Sequence, residues 1–164
     1  MASESWPLFR DPIVWSDNKQ IVGEEINAYM NDSTLDSIYV DRQALTIERV
    51  DSTHFNQVAS QQMRTYFDTQ GEVKENRAIG NVMVVNYPLE KDSTILYQNY
   101  VETAQARMFM RNRKLYKIWA PASHGYFYPI GLAPADRTKL PGFAWFDYIR
   151  PLSPDDVFNW RGKK

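Results

Sequence analysis

Short stretches of alternating apolar and polar residues follow one another along most of the chain. Ile26, Ala28 and Met30 alternate with Asn27 and Tyr29, which is the period of a strand with one apolar face. A turn cluster at residues 31–34 follows, because Asn, Asp, Ser and Thr side chains bond to their own backbone. The same pattern predicts further strands at 36–40, 44–47, 62–67, 71–79, 81–87, 100–110, 114–119 and 126–128. Helix is the weaker alternative at 104–112, where no clean apolar stripe forms at helical spacing.

An internal repeat adds a second level of order to these strands. Residues 26–38 align with residues 106–118 without a gap, and a middle copy runs from Met63 to Val73. Each copy reads as strand, turn and strand, and such a unit cannot bury one face alone but can do so when stacked on its neighbours. The repeat therefore predicts an all-β fold of the sandwich, barrel or β-solenoid type.

The two ends of the chain depart from the repeat, and all three parts are predicted to form one domain. Residues 1–19 read as an irregular or edge-strand beginning, residues 20–130 as the β-repeat domain, and residues 131–164 as a cap rich in proline and aromatic residues. The cap is expected to act as a lid over one end of the stack, because open terminal strands invite pairing. Its Ser153-Pro154-Asp155-Asp156 sequence predicts a short terminal helix over residues 157–160.

Composition narrows the classes of function. The net charge of −1 gives no basic footprint for nucleic acid, and the aromatic fraction of 14% favours β structure. With no cysteine, disulfides, thiol catalysis and thiolate metal sites are excluded. No transmembrane segment is predicted, because no run approaches the roughly 20 apolar residues that cross a bilayer. The first residues lack the features of a signal peptide, so the chain is either cytosolic or an excised piece of a secreted protein.

Catalytic and metal-binding motifs are not found. The two histidines, His54 and His124, lie in predicted loops without a spaced ligand set, and no P-loop, nucleophile elbow or dinucleotide fingerprint is present. Glu24 and Glu25 are adjacent on a strand and would point to opposite faces. No catalytic residue, no metal site and no cofactor are predicted.

The apolar face shared by the repeats is the feature of the sequence that points to a function. Stacked copies would bring the apolar positions of the three repeats to one face. This face is either a closed core, which any β-solenoid needs and which the residues alone favour, or an open trough whose floor takes acyl chains. Methionine suits a trough, because its flexible side chain adapts to irregular apolar shapes.

Six stretches of the chain carry a family resemblance: residues 11–17, 23–26, 36–40, 55–58, 80–82 and 143–152. With them the chain resembles, over about residues 11–161, the OstA-like proteins of the Bacteroides lineage, which are relatives of LptA. The closing stretch 143–152 is the most specific, whereas 23–26 and 80–82 are common to the wider family and individually weak.

The resemblance implies a repetitive β-jellyroll opened into a V, often called a β-taco, that works without catalysis in the periplasm. Its partners would be lipopolysaccharide or a related lipid and, through strand edges, other Lpt-type modules or itself. A signal peptide would have been removed, and the chain would be the C-terminal module of a longer protein. The predicted lipid-binding residues of the trough are Ile26, Ala28, Met30, Ile38, Val40, Met63, Phe67, Val82, Val84, Ala106, Met108 and Met110.

Two alternatives stay open. The first is a closed-core structural or protein-docking module that binds no lipid and uses its aromatic C-terminal segment as the contact surface. The second is a carbohydrate-active enzyme on a β-solenoid, which requires two carboxylates within about 10 Å of each other in a cleft.

Overall fold

Ten antiparallel strands form a single sheet in the computed structural model, which describes residues 4–8, 12–153 and 155–158. The all-β prediction is confirmed. The strands are β1 (Glu4–Leu8), β2 (Ile13–Ser16), β3 (Lys19–Val22), β4 (Glu25–Asn31), β5 (Thr34–Arg49), β6 (Phe55–Phe67), β7 (Val73–Asn86), β8 (Tyr97–Arg111), β9 (Lys114–Trp119) and β10 (Ser123–Pro129). A four-residue helix, α1 (Ala135–Thr138), and 3₁₀ turns at Asp147–Ile149 and Asp155–Phe158 follow. The terminal helix predicted at 157–160 coincides in part with the last turn, and residues 159 and 160 lie outside the described residues.

The central strands run in the order β1, β4, β5, β6, β7, β8 and β10. Strand β5 pairs with β4 along its first part and with β3 along its second part, and β3 pairs in turn with β2. Strand β8 pairs with β10 along its first part and with β9 along its second part. Each side of the sheet therefore carries two separate edge strands.

A bend crosses all four long strands at the same level. Pairing shifts between Asp41 and Ala44 on β5, and the corresponding shift on β7 falls between Ile79 and Val82. Both places hold two consecutive left-handed residues, which are Arg42, Gln43, Gly80 and Asn81. Such bulges bend a strand sharply. The bend divides the sheet into a first half-sheet (β1, β4, β9 and residues 34–41, 62–67, 73–79 and 105–111) and a second half-sheet (β2, β3, β10 and residues 44–49, 55–60, 82–86 and 97–103).

One side-chain contact shows that the two half-sheets fold onto each other. The hydroxyl of Thr46 donates a hydrogen bond to Sδ of Met63 at 2.9 Å. The register partner of Thr46 on β6 is Val58, and a straight strand would separate residues 58 and 63 by about 16 Å. The faces that meet are called the interior faces below, and the opposite ones the outer faces.

Gly23 allows the chain to cross the bend between β3 and β4. A Cβ atom there would lie 2.1 Å from Cγ1 of Val40, whose side chain is buried in the interior. The next residue is anchored by a hydrogen bond from the Glu24 N–H to the Arg42 carbonyl at 3.1 Å. A side chain at position 23 would therefore push apart the packing at the bend.

The C-terminal segment lies on the outer face of the second half-sheet, whereas the sequence predicts a lid over one end of the stack. Leu140, Phe143 and Trp145 pack there in a second apolar cluster with outward-facing residues of the strands. Those residues include Leu45 and Ile47, so this half-sheet is apolar on both faces and its outer face needs a cover.

Three buried glutamines fasten this segment to the sheet. The amide of Gln57 donates to the Thr138 carbonyl and accepts from the Leu140 N–H, both at 2.8 Å. The amide of Gln20 donates to the Ala144 carbonyl at 2.8 Å and accepts from the Phe146 N–H at 2.9 Å. The third, Gln98, donates to the carbonyl of Arg137 and accepts from the Tyr87 hydroxyl. All three side chains are buried, so they satisfy backbone groups that water cannot reach.

Candidate functional site

The twelve residues predicted to line a trough lie on the interior faces or at their ends. Ala28 pairs directly with Ile38, and residues directly opposite one another in a sheet share a face. Ala28, Met30 and Met110 are half-buried. The other nine are buried in one apolar cluster between the half-sheets: Ile26, Ile38, Val40, Met63, Phe67, Val82, Val84, Ala106 and Met108.

Side chains fill the space between the half-sheets. Ile26, Met63 and Ala78 have no exposed surface, and Met108 is 5% exposed. The arrangement described by the structure is therefore the closed one, in which the apolar face acts as a core.

Polar side chains within this interior surround Met63. Its sulfur accepts hydrogen bonds from the Thr46 hydroxyl and from the Asn76 amide, the latter at 3.4 Å. Thr65 is buried on the same face and donates to Oδ1 of Asn76 at 3.4 Å. The hydrogen bonds from Thr46 and Asn76 fix the position of the Met63 side chain, which is otherwise flexible. The sequence predicted Met63 on this face but did not predict these hydrogen bonds.

The mouth between the half-sheets, opposite the bend, is lined by charged residues. Lys19 and Glu48 of the second half-sheet lie 3.7 Å apart, and Arg113 and Glu72 of the first lie 2.6 Å apart. A cavity of about 190 Å³ is lined by these four residues together with Ser16, Asp17, Asn18 and Val73. A second cavity, of about 490 Å³, lies beside the turns that follow β6 and β8. The carboxylates of Glu48 and Glu72 are both held in ion pairs.

At β9 and β10 the interior faces continue into an exposed apolar margin. Ile118 lies directly opposite Met108 and is 45% exposed. On the second half-sheet, Phe127 lies opposite Asn99, on the face of Val101, and is 63% exposed. The Phe127 ring stacks on Tyr97 with a centroid distance of 4.2 Å. This margin, formed by Leu115, Ile118 and Phe127, joins the buried interior to solvent beside the outer edges of β9 and β10, with which no described strand pairs.

The two histidines have ordinary structural surroundings. His54 closes the turn after β5, where its Nδ1 lies 2.7 Å from Oδ2 of Asp51. The backbone N–H of Thr53 and the His54 side chain hold the pKa of Asp51 at about 2. His124 lies on β10 opposite Glu102. Within the described residues, no three His, Asp or Glu side chains are grouped as metal ligands.

No protein-family model, curated protein sequence or solved structure matches this chain. In the part of the chain that the structure describes, no helix is long and apolar enough to span a membrane.

Proposed function

We propose that this chain is a lipopolysaccharide-binding module of the LptA-like type, which holds acyl chains between its two half-sheets. The observation that carries the proposal is the margin at β9 and β10. There, apolar side chains of both interior faces reach solvent at the end of an apolar interior. Contiguous exposed apolar surface on a soluble protein typically marks a site of interaction.

The two folded half-sheets support the proposal that this is the V-shaped β-jellyroll expected from the resemblance. In that arrangement the bend at residues 42–43 and 80–81 is the closed side of the V, and the charged mouth is the open side. Acyl chains would enter by separating the half-sheets and replacing contacts between their side chains. The charged residues at the mouth would remain in water near the polar headgroup.

Edge-to-edge assembly in the periplasm is the second part of the proposal. Among the residues that the structure describes, β9 and β10 each have one unpaired edge, and every residue of β9 is exposed. An unpaired edge is a template for an added strand, and exposed apolar side chains beside it would add buried area. A second module placed there would continue both interior faces.

A closed-core docking module is the competing function, and the filled interior favours it. The C-terminal aromatics Phe143 and Trp145 are packed against the second half-sheet, which leaves Tyr148 as an exposed aromatic residue of that segment. In this alternative, lipid never enters, and the half-sheets stay together.

Photo-crosslinking distinguishes the two functions. A benzophenone side chain would be placed at Phe127, on the interior side, and in a second sample at Tyr126, on the outer face where Arg137 lies 4.0 Å from its ring. A third sample would carry it at Met108. Both aromatic positions are exposed, so they differ in the face that they occupy and not in access to solvent.

Lipopolysaccharide adducts at Phe127 and Met108, without an adduct at Tyr126, are the expected result. An adduct at Met108 requires the half-sheets to separate, because this residue is buried in the closed form. Absence of adducts at Phe127 and Met108 in proteins that retain their circular dichroism spectrum would favour the docking module.

A further inference from the structure

The outer face of the first half-sheet carries a row of arginines that no described segment covers. Arg64, Arg77 and Arg107 lie directly opposite one another on β6, β7 and β8. Like charges in opposing positions destabilise a sheet. One carboxylate, that of Glu75, pairs with two of the three arginines and leaves the row with a net positive charge. We propose that this face is a contact surface for an anionic lipid bilayer.

Positive charge exceeds negative charge across the middle of this face. Glu75 is shared by two of the arginines, with oxygen–nitrogen distances of 2.8 Å to Arg77 and 2.7 Å to Arg107. The hydrogen bond from Arg77 is the main cause of the lowered pKa of Glu75, followed by that from Arg107. Arg64 has no carboxylate partner among the described residues, and Lys117 adds a fourth cation. The excess stands out in a chain whose net charge is −1.

Charges at the borders of the face do not cancel this excess. Glu25 and Asp41 lie at the bend, where Arg42 pairs with Glu25 at 3.7 Å. At the opposite border, Arg111 and Lys114 pair in register at the turn between β8 and β9, which adds two cations. Asp36 adds a carboxylate on the β5 side of the face, where it accepts a hydrogen bond from the Ser37 hydroxyl. Negative charge therefore lies toward the bend and β5, and positive charge toward β9.

Aromatic rings hold the guanidinium groups in place. The guanidinium carbon of Arg64 lies 4.8 Å from the ring centre of Tyr39, and that of Arg77 lies 4.8 Å from the ring centre of Tyr66. Arg107 stands 5.1 Å from the centre of the Phe109 ring. Cations held in this way lose less side-chain freedom when they meet an anionic group.

Two exposed aromatic residues on β9 favour a bilayer over an acidic protein. Tyr116 and Trp119 are 52% and 46% exposed and alternate along this strand with Lys114 and Lys117. Tyrosine and tryptophan beside lysine and arginine are the residues enriched at membrane surfaces. A protein partner would need pockets for its anchoring side chains, whereas the rings at the centre of this face are covered by guanidinium groups.

The test is sedimentation of the whole chain with vesicles. Vesicles of phosphatidylglycerol should bind the protein, vesicles of phosphatidylcholine should not, and binding should weaken as added salt screens the charges. A basic residue near an anionic bilayer strengthens binding by about fivefold. Lys114→Ala with Lys117→Ala should therefore weaken binding about 25-fold, and Arg64→Ala with Arg77→Ala should do so to a similar extent. The lysine pair is exposed, so this variant is expected to fold even where the arginine pair does not.

Arg49→Ala with Lys91→Ala is the matched control, because it removes the same charge from exposed positions beyond this face. It should bind as the unchanged protein does. Equal weakening by the control, or equal binding to phosphatidylcholine, would overturn the assignment. So would the absence of binding to phosphatidylglycerol, and an acidic protein would then be the partner to seek. None of these outcomes depends on lipopolysaccharide entering the interior.

Discussion

Substitutions at the bend should destabilise the fold, because side chains from both half-sheets pack together there. We expect Gly23→Ala to lower the free energy of unfolding by about 1–3 kcal/mol, the usual cost of an added group in a packed site. The added Cβ would meet Val40 at 2.1 Å. Urea unfolding followed by circular dichroism measures the change.

Gly125→Ala is the control for this substitution. Gly125 lies on β10 with nothing within 4 Å of an added Cβ, and its φ is not in the left-handed region. Its effect should stay within about 0.5 kcal/mol, as for other exposed positions. Equal losses in the two variants would mean that the contact at Val40 is not the cause.

The stability of the fold should depend on pH through Asp51, which lies in the turn after β5. Its pKa of about 2 in the folded chain lies below the ordinary value of about 3.9. A lowered pKa stabilises the fold above pH 4, and this contribution is lost as the pH falls from about 4 to 2. Thermal melting of Asp51→Asn should therefore change less over this range than melting of the unchanged protein. Identical pH profiles would count against the bonds from Thr53 and His54.

At the scale of strands, the sequence predicted one half-sheet better than the other. Alternation at residues 26–30 and 36–40 identified interior positions, because the outer face of the first half-sheet is polar and aromatic. In the second half-sheet both faces are buried, so a run such as Val82-Met83-Val84-Val85 carries no period of two. The bend interrupts the pattern on β5 and β7, which were each predicted as two shorter strands, whereas β8 was predicted as one strand and β6 only beyond the bend.

The position of the C-terminal segment was harder to predict, because polar side chains of the second half-sheet hold it in place. Gln20, Gln57 and Gln98 are buried on the outer face of the second half-sheet, and the sequence analysis assigned none of them a role. Their amides match the backbone of a segment that has few regular hydrogen bonds of its own. Nothing in the local sequence specifies such a partner more than 30 residues away in the chain.

Replacing one of these glutamines should loosen the whole segment. Gln57→Met keeps the size of the side chain but leaves the Thr138 carbonyl and the Leu140 N–H without partners. A loss of about 2 kcal/mol or more is expected, since each unpaired buried group costs about 1–3 kcal/mol. Limited proteolysis should also cut residues 135–146 faster. Gln105→Met, at an exposed position on β8, should change neither measurement.

At the scale of the whole molecule, the proposed function requires one motion: separation of the half-sheets about the bend. The apolar interior cannot take an acyl chain while its side chains fill the space, whereas the turns at the mouth meet through charged residues that water can solvate. Because the chain has no cysteine, two labels can be placed freely. Asn18→Cys and Gln70→Cys lie at turns of the second and first half-sheets beside the two cavities of the mouth.

We expect the distance between spin labels at these two positions to increase when lipopolysaccharide is added. Ser33→Cys with Gln70→Cys places both labels on turns of the first half-sheet, and their distance should stay constant because the strands between them remain paired. An increase in the first pair alone would identify opening at the mouth. An unchanged distance in both pairs, with lipid present in excess, would mean that the half-sheets do not separate, and the interior would then be a core that positions the outer faces and edges for contact with partners.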